Sequence, residues 1–266
     1  MAKRAALSAL ALLLCAACAF AELTVERNEG ELFLPDESNW VYHFTYAYPR
    51  IVGDDYTAAL INDTYQMALD EMTRLVLPMF ANAPEMRFDG KNEVKHDFTV
   101  ACNNGKLLSI VQLRSQTMGE ETVYSLEPLT FDVGGMYAGE TLTLRGVILI
   151  QAGVDPEQLE DVRPEDYPEI AHIIQGSSSS VAEALMPILY RAFLGHPDLA
   201  ETETPSYEDF EIEFSPTHDF AASQSGNYIA FYYPPMLPSK AGQGNTVILL
   251  SPADIEAILA AGEEAE

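Results

Sequence analysis

Basic side chains are scarce in this chain: 14 Lys and Arg stand against 41 Asp and Glu in 266 residues, a formal charge of −27. Phosphate backbones are bound by clustered Lys and Arg, so nucleic acid is excluded as a partner, and an anionic membrane surface is disfavoured for the same reason. Such a field draws cationic proteins, cationic peptides or divalent ions, or simply keeps an exported protein soluble. Cysteine is scarcer still. Cys15 and Cys18 lie in the N-terminal segment, which leaves Cys102 with no intrachain partner and the fold with no disulfide staple. On its alternating apolar stretch Cys102 reads as a small buried hydrophobe rather than a nucleophile.

Catalytic and metal-binding patterns are missing too. The five histidines, His43, His96, His172, His196 and His218, form no His-Glu-x-x-His pair, and no carboxylate stands at a helical offset that would complete a zinc site. His96-Asp97-Phe98 and His218-Asp219-Phe220 look alike, and each reads as the start of a strand with Asp in a turn. The serine run from Ser177 to Ser180 has no Gly-x-Ser-x-Gly elbow and suits a helix cap. Glycines 134, 135 and 139 fit no phosphate loop, and the acidic run from Asp155 to Glu169 lacks the Asp-x-Asp-x-Asp-Gly order of a calcium loop. No catalytic residue, metal or cofactor is therefore assigned.

What is present begins with an export signal. Lys3 and Arg4 precede an apolar run from Ala5 to Ala17, and Ala19-Phe20-Ala21 is a small-x-small site, so cleavage after Ala21 leaves Glu22 first. The run is short for a membrane span. The mature chain, with 12 basic residues against 41 acidic, is expected to be secreted or extracytoplasmic, with no transmembrane span. Cys18 after Ala16-Ala17 offers an alternative, a lipidated first residue, although Cys15 holds the position where lipoprotein sites carry an aliphatic side chain.

With 48% apolar and 10% aromatic residues the chain can bury a core. Residues 22–39 suggest a short strand or a hairpin around Asn28-Glu29-Gly30. Tyr42, Phe44, Tyr46 and Tyr48 make the aromatic face of a strand that Pro49 ends, a face more often core than sugar platform. Asp54-Asp55 then opens a helix over 54–77 with an apolar stripe on Ile61, Tyr65, Ala68, Met72 and Leu75, stopping before Pro78. From His96 to Ile150 short strands alternate with turns, at Asn103-Asn104-Gly105-Lys106 and Met118-Gly119-Glu120, and predict an antiparallel meander whose last strand is 141–150.

Beyond it, Asp155-Pro156 starts a helix, and 181–194 is helical, with Pro187 marking a kink or a start near Met186 and Gly195 ending it. Phe210, Ile212 and Phe214 alternate with acidic residues as a half-exposed strand over 207–215. Residues 219–220, 228–233 and 246–250 add a second β-rich region, and Ser251-Pro252-Ala253-Asp254 starts a last helix reaching about Ala260.

Five segments in this order resemble the RsiV-like extracytoplasmic domain family of bacteria. They are Phe44-Thr45-Tyr46-Ala47-Tyr48-Pro49-Arg50-Ile51, Leu107-Leu108-Ser109-Ile110, Thr130-Phe131-Asp132-Val133, Gly139-Glu140-Thr141-Leu142-Thr143-Leu144, and Phe231-Tyr232-Tyr233 with Pro238 and Ala241-Gly242. The resemblance implies an exported domain pairing a strand–helix region with a mixed α/β region, and some members of that family recognise lysozyme. The family's Tyr-x-Gly-Gly-Ala-His turn has no counterpart at 116–120, and its Tyr-Glu-Ile-Ala-Pro-Tyr segment stands here as Pro234-Pro235-Met236-Leu237-Pro238-Ser239. Binding roles therefore do not carry over residue by residue.

The expectation is an α+β fold: an antiparallel sheet with a long amphipathic helix on one face and further helices in the C-terminal half. Its divisions are a signal peptide (1–21), a strand–helix subdomain (22–95), an α/β region (96–262) and an acidic tail (263–266). The expected function is non-catalytic binding or sensing of peptidoglycan, other cell-envelope material or a cationic protein such as lysozyme. A hydrolase of envelope polymers using acidic side chains and a structural surface lipoprotein are the alternatives. The proline-interrupted segment carrying Tyr232, Tyr233, Met236 and Lys240 is the candidate ligand-binding loop, with a buried crossover as its other reading.

Overall fold

The computed structural model describes residues 22–82, 90–195, 205–224, 227–233 and 246–263. It is α+β. One five-stranded sheet runs in the order β1 (Thr24–Leu34), β2 (Tyr42–Val52), β3 (Asn92–Asn103), β4 (Leu107–Met118) and β5 (Glu121–Asp132). All neighbours are antiparallel except β2 and β3, which pair in parallel from Tyr42↔Asn92 to Tyr46↔His96. A parallel pair needs a crossover, and here it contains the long helical rod of residues 56–82.

The rod begins where the acidic pair predicts it. Asp55 is the cap, its carboxylate accepting the Ala58 N–H. Asn62 ties the first turns to β2 by accepting the Ile51 N–H at 2.7 Å and donating to the Ile51 carbonyl at 2.9 Å. α1 (Tyr56–Glu71) passes into a π turn (Met72–Val76) and then α2 (Leu77–Asn82), together spanning about 40 Å. The helix thus continues through Pro78 instead of stopping before it. The wider π turn, with the Leu77 N–H on the Met72 carbonyl, lies directly ahead of the residue that has no N–H to give. It also resets the stripe: Ala58, Ile61, Tyr65 and Leu69 face the sheet, Leu77 and Ala81 resume after the π turn, and Leu75 points outward.

Beneath the rod lie Tyr42, Phe44, Tyr48, Val94, Phe98, Leu108, Ile110 and Phe131, so the aromatic face of β2 is core. Pro49 does not end β2. The pairing with β3 stops at Tyr46, and beyond it β2 has a ladder partner only in β1, which leaves an edge where proline is tolerated. No hairpin forms at Asn28-Glu29-Gly30; β1 is one strand, and Gly30 serves a different need, because a Cβ there would collide with the Tyr46 ring. The 103–106 turn is a hairpin, with Asn104 Oδ1 accepting from the N–H groups of Lys106 and Leu107. β5 is a single strand, carrying Pro128 on the outer edge of the sheet.

The other sheet face is covered by a second layer. A three-stranded antiparallel sheet, β6 (Phe220–Ala222), β7 (Ile229–Tyr232) and β8 (Thr246–Leu250), sits over β4 and β5. Ser109 Oγ, buried between the layers, accepts the Ala222 N–H at 3.0 Å and touches Thr130 Oγ1 at 2.7 Å. Behind it pack α3 (Leu144–Gln151), α4 (Ala171–Gln175), α5 (Ser178–Leu194), α6 (Tyr207–Glu213) and α7 (Pro252–Glu263). Cys102, fully buried, belongs to this core, and burial pushes its thiol up to about 11. α7 starts at its Ser-Pro signal and closes the layer through Glu256, whose carboxylate accepts the His172 and Ile173 N–H groups at the start of α4.

Three expectations are corrected in this layer. Residues 141–150 are not a strand: only Thr141 bridges to Phe131, and Thr143 caps α3, whose side chains are buried on every side. An apolar run without a polar face has no readable period. Residues 207–213 form a helix, capped reciprocally by Ser206 and Asp209. Phe210 and Phe214, four apart, are buried while Ile212 is 78% exposed, which is helical rather than strand spacing. α5 begins at Ser178 under a Ser177–Ser180 capping box and runs past Pro187 without restarting near Met186.

Candidate functional site

The residues singled out as a binding loop divide. Met236 and Lys240 lie outside the described residues, as do Cys18 and Ala21. Tyr233 is in the core, with its ring stacked on Phe210 at 5.6 Å and 4.5 Å from Phe193, and its hydroxyl donating to Glu213. Burial pushes that phenol upward, and the Glu213 bond adds to it. Tyr232 is half-buried against the small cluster of Val111, Leu126 and Ala221. At these two positions the side chains are buried or half-buried, which does not fit an exposed loop.

The histidines are also dispersed. His43 stacks on Phe33 beside Glu31, His172 meets Glu256 at 2.5 Å, and His218 lies in the Ser215–Asp219 turn. His96 sits inside β3 and not at its start, because that strand begins at Asn92. Among the described residues no group of three or more His, Cys, Asp or Glu could hold a metal ion.

The geometry that stands out is an acidic ledge beside a groove. Asp155, Glu157, Glu160, Asp161, Glu165, Asp166 and Glu169 are all exposed, with Arg163 the one base among them. The segment is no loose tail, since Val154, Pro156, Leu159 and Ile170 are buried between these carboxylates. Two short 3-10 turns, Pro156–Gln158 and Pro168–Ile170, shape it, the first capped by Asp155.

A second loop braces the ledge. After β5 the chain turns around Asp132, fully buried, whose Oδ1 accepts the Gly134 and Gly135 N–H groups at 3.1 and 2.8 Å and whose Oδ2 accepts that of Tyr137 at 3.0 Å. Burial raises this carboxyl and the backbone donors pull it back, with burial the stronger. Gly135 has no room for a side chain, as a Cβ would stand 2.6 Å from Asp132 Oδ2 and 2.9 Å from the Pro156 carbonyl carbon. Tyr137 completes the brace by donating to Glu160.

Between loop and ledge opens a cavity of about 450 Å³, lined by Tyr137, Glu140, Leu142, Arg145, Leu159 and Glu160. Exposed Glu140 and Glu160 supply its negative charge. Arg145 is already committed, donating to the Ile173 and Ile174 carbonyls at 3.2 and 2.7 Å, which hold the end of α4.

A smaller groove of about 210 Å³ runs along the β5 edge past Glu127, Thr217, His218 and Asp219. Burial pushes Asp219 up to about 6, against the Ser215 N–H and the His218 charge, which both lower it. Since its folded value lies above the unfolded 3.8, the stability it contributes is full below that unfolded value and is lost as pH climbs to about 6. Asp219→Asn, which keeps an oxygen for the Ser215 N–H, is expected to stabilise the protein at neutral pH by about 1–3 kcal/mol and to leave it little changed in acid. Urea unfolding at both pH values measures this; equal effects in acid and at neutrality would refute the assignment.

The class these features define is an α+β domain with an acidic, groove-bearing face, and, among the described residues, no helix long and apolar enough to cross a membrane. No protein-family model matches the sequence, and no curated protein matches it. Among solved structures it is similar to a DUF3298 family protein from Pseudomonas aeruginosa PAO1, with 13% identity, a TM-score of 0.44, and 88% of this chain and 98% of that one covered. It is also similar to a DUF3298 family member from Bacteroides fragilis NCTC 9343, with 16% identity, a TM-score of 0.39, and 90% and 98% covered.

Proposed function

We propose that this protein is a non-catalytic exported binding domain whose acidic ledge takes up a cationic protein of the lysozyme type at the cell envelope. One observation carries the reading: seven exposed carboxylates held on buried anchors, beside a groove edged by Glu140 and Glu160. Fixed charges of one sign steer a cationic partner and raise its association rate, an effect that salt screens. A Lys or Arg of the partner entering the groove meets two carboxylates and an aromatic hydroxyl already turned toward Glu160.

The test is binding to immobilised lysozyme, and separately to peptidoglycan fragments, at low and moderate salt. Lysozyme is expected to bind at low salt with an association rate that falls as salt rises. A variant combining Glu160→Gln, Asp161→Asn, Glu165→Gln and Asp166→Asn is expected to weaken that binding about tenfold or more. Unchanged binding by the variant, or none by the native protein, sinks the reading. Peptidoglycan capture without lysozyme capture would move the ligand to the envelope polymer.

One feature favours a second reading. Asp219, raised by burial, lines a groove along the β5 edge and would suit the protonated acid of a hydrolase. Release of soluble sugars from peptidoglycan by the native protein, lost in Asp219→Asn, would support it. Export itself is tested by sequencing the mature N-terminus, expected at Glu22, and the lipoprotein alternative by palmitate labelling at Cys18.

A further inference from the structure

A separate cavity of about 210 Å³ lies where the π turn crosses the sheet, on the face opposite the second layer. Its apolar wall is Met72, Val76, Leu77 and Phe80 from the rod with Val94 and Val123 from the sheet. π turns recur at functional sites because they re-aim side chains, and this one turns Met72 and Val76 to the cavity. The polar lining is equally ordered. His96 on β3 pairs in register with Arg114 on β4, and Arg114 with Ser125 on β5, so three strands deliver polar groups to one line.

Both His96 and Arg114 line the cavity itself. His96 is 3% exposed, and its Nδ1 lies 2.6 Å from the Tyr48 hydroxyl. Burial pushes Tyr48 up to about 12 and the imidazole down to about 3, so both groups are neutral, and in the tautomer where the phenol donates to Nδ1 the ring proton is on Nε2. Arg114 contacts Glu127 and donates to Gln112 Oε1 at 3.3 Å, yet its Nε is buried with no acceptor. Gln112, 2% exposed and outside the cavity lining, leaves its Nε2 unpaired as well, while Glu127 Oε2 has no hydrogen bond beyond its contact with Arg114. Buried polar groups are nearly always paired, by protein, water or ligand. For the Arg114 Nε, on the residue that lines the cavity, the missing partner is an acceptor.

We infer that this cavity binds a small amphipathic carboxylate, its aliphatic chain against Met72, Val76, Leu77 and Phe80 and its head group received by His96 Nε2–H and Arg114. One guanidinium already shared with Glu127, beside a neutral imidazole donor, suits a singly charged, acceptor-only head better than a phosphate. An amine would offer donors to donors. The site lies in the region of the rod and the five-stranded sheet, away from the acidic ledge, and does not depend on the lysozyme reading.

The probe is hexanoate, with hexylamine and hexan-1-ol as controls, added to the full chain while the His96 ring nitrogens are followed by NMR. Hexanoate is expected to give saturable shifts at millimolar concentrations, the amine none, and the alcohol weaker ones. Arg114→Gln combined with Glu127→Gln keeps a neutral pair and is expected to weaken hexanoate about tenfold. Val76→Trp, which fills the cavity from a helix surface, is expected to abolish binding while circular dichroism and lysozyme binding stay unchanged. Unmoved ring resonances with hexanoate, equal binding of hexylamine, or full binding by Val76→Trp would each overturn the inference.

Discussion

Phe210→Ala is expected to cost about 3–5 kcal/mol, a large share of the stability of a domain this size. Phe210 is fully buried at the centre of an aromatic cluster, with ring centroids 4.9 Å from Phe214, 5.0 Å from Phe193, 5.3 Å from Tyr190 and 5.6 Å from Tyr233. Truncation leaves a cavity that four rigid rings, two on α5, one at the end of α6 and one just past β7, cannot close. Ile212→Ala, two residues along, is expected to change stability by less than about 0.5 kcal/mol, since that side chain faces water. The pair separates helix from strand. On a strand Phe210 and Ile212 would share one face and lose stability together, whereas on α6 they point to opposite sides. Denaturant midpoints of the two variants decide it, and comparable losses would mean that 207–213 is not helical.

Asp132→Ala is expected to lose about 3–5 kcal/mol by a different route. Removing the carboxylate strands the N–H groups of Gly134, Gly135 and Tyr137, each costing about 1–3 kcal/mol when buried without an acceptor. Asp132→Asn keeps one acceptor oxygen but sets an amide N–H₂ against a backbone donor, so it is expected to fall between the native protein and Asp132→Ala. The loop also carries Tyr137 to Glu160, and through that contact the ledge. Loss of lysozyme binding in Asp132→Asn while the fold persists would therefore tie the ledge to this brace. A denaturant midpoint within error of native for Asp132→Ala would show that the loop stands without its carboxylate.

The two experiments mark where sequence reading succeeds and where it fails. Local chemistry was legible wherever one residue type solves one local problem. Asp55 and Ser177 cap helices, Asn104 turns a hairpin, Ser251-Pro252 opens α7, and Cys102 fills a core position. Proline misled twice. Pro49 sits in a strand and Pro78 in a helix, because an edge and a π turn removed the need for the N–H that proline lacks. Periodicity failed in short or uniformly apolar runs. Three alternating side chains in 207–215 fit period two as well as a pair of residues four apart, and 144–151 has no polar face to give a period at all.

The candidate sites were legible in their parts and not in their assembly. The acidic run was plain to see as composition, but only its buried Val154, Pro156, Leu159 and Ile170 turn it into a fixed surface. His96, read as a residue at a strand start, gained its meaning from Tyr48, 48 positions earlier, and Arg114 across the ladder. No spacing in one dimension carries that information, since strand register is set by which side chains find burial together.

The sequence by itself therefore determined the α+β class, the presence of a long amphipathic helix for one face of the sheet, the caps, and the surplus of acid over base, because each follows from interactions within a few residues or from composition. The tertiary structure alone decided the parallel pairing of β2 with β3, the two-layer cover of the sheet, the groove between Asp132 loop and ledge, and the polar line under the π turn. These arise from contacts between residues far apart in the chain, where burial and the pairing of polar groups choose among many locally acceptable arrangements.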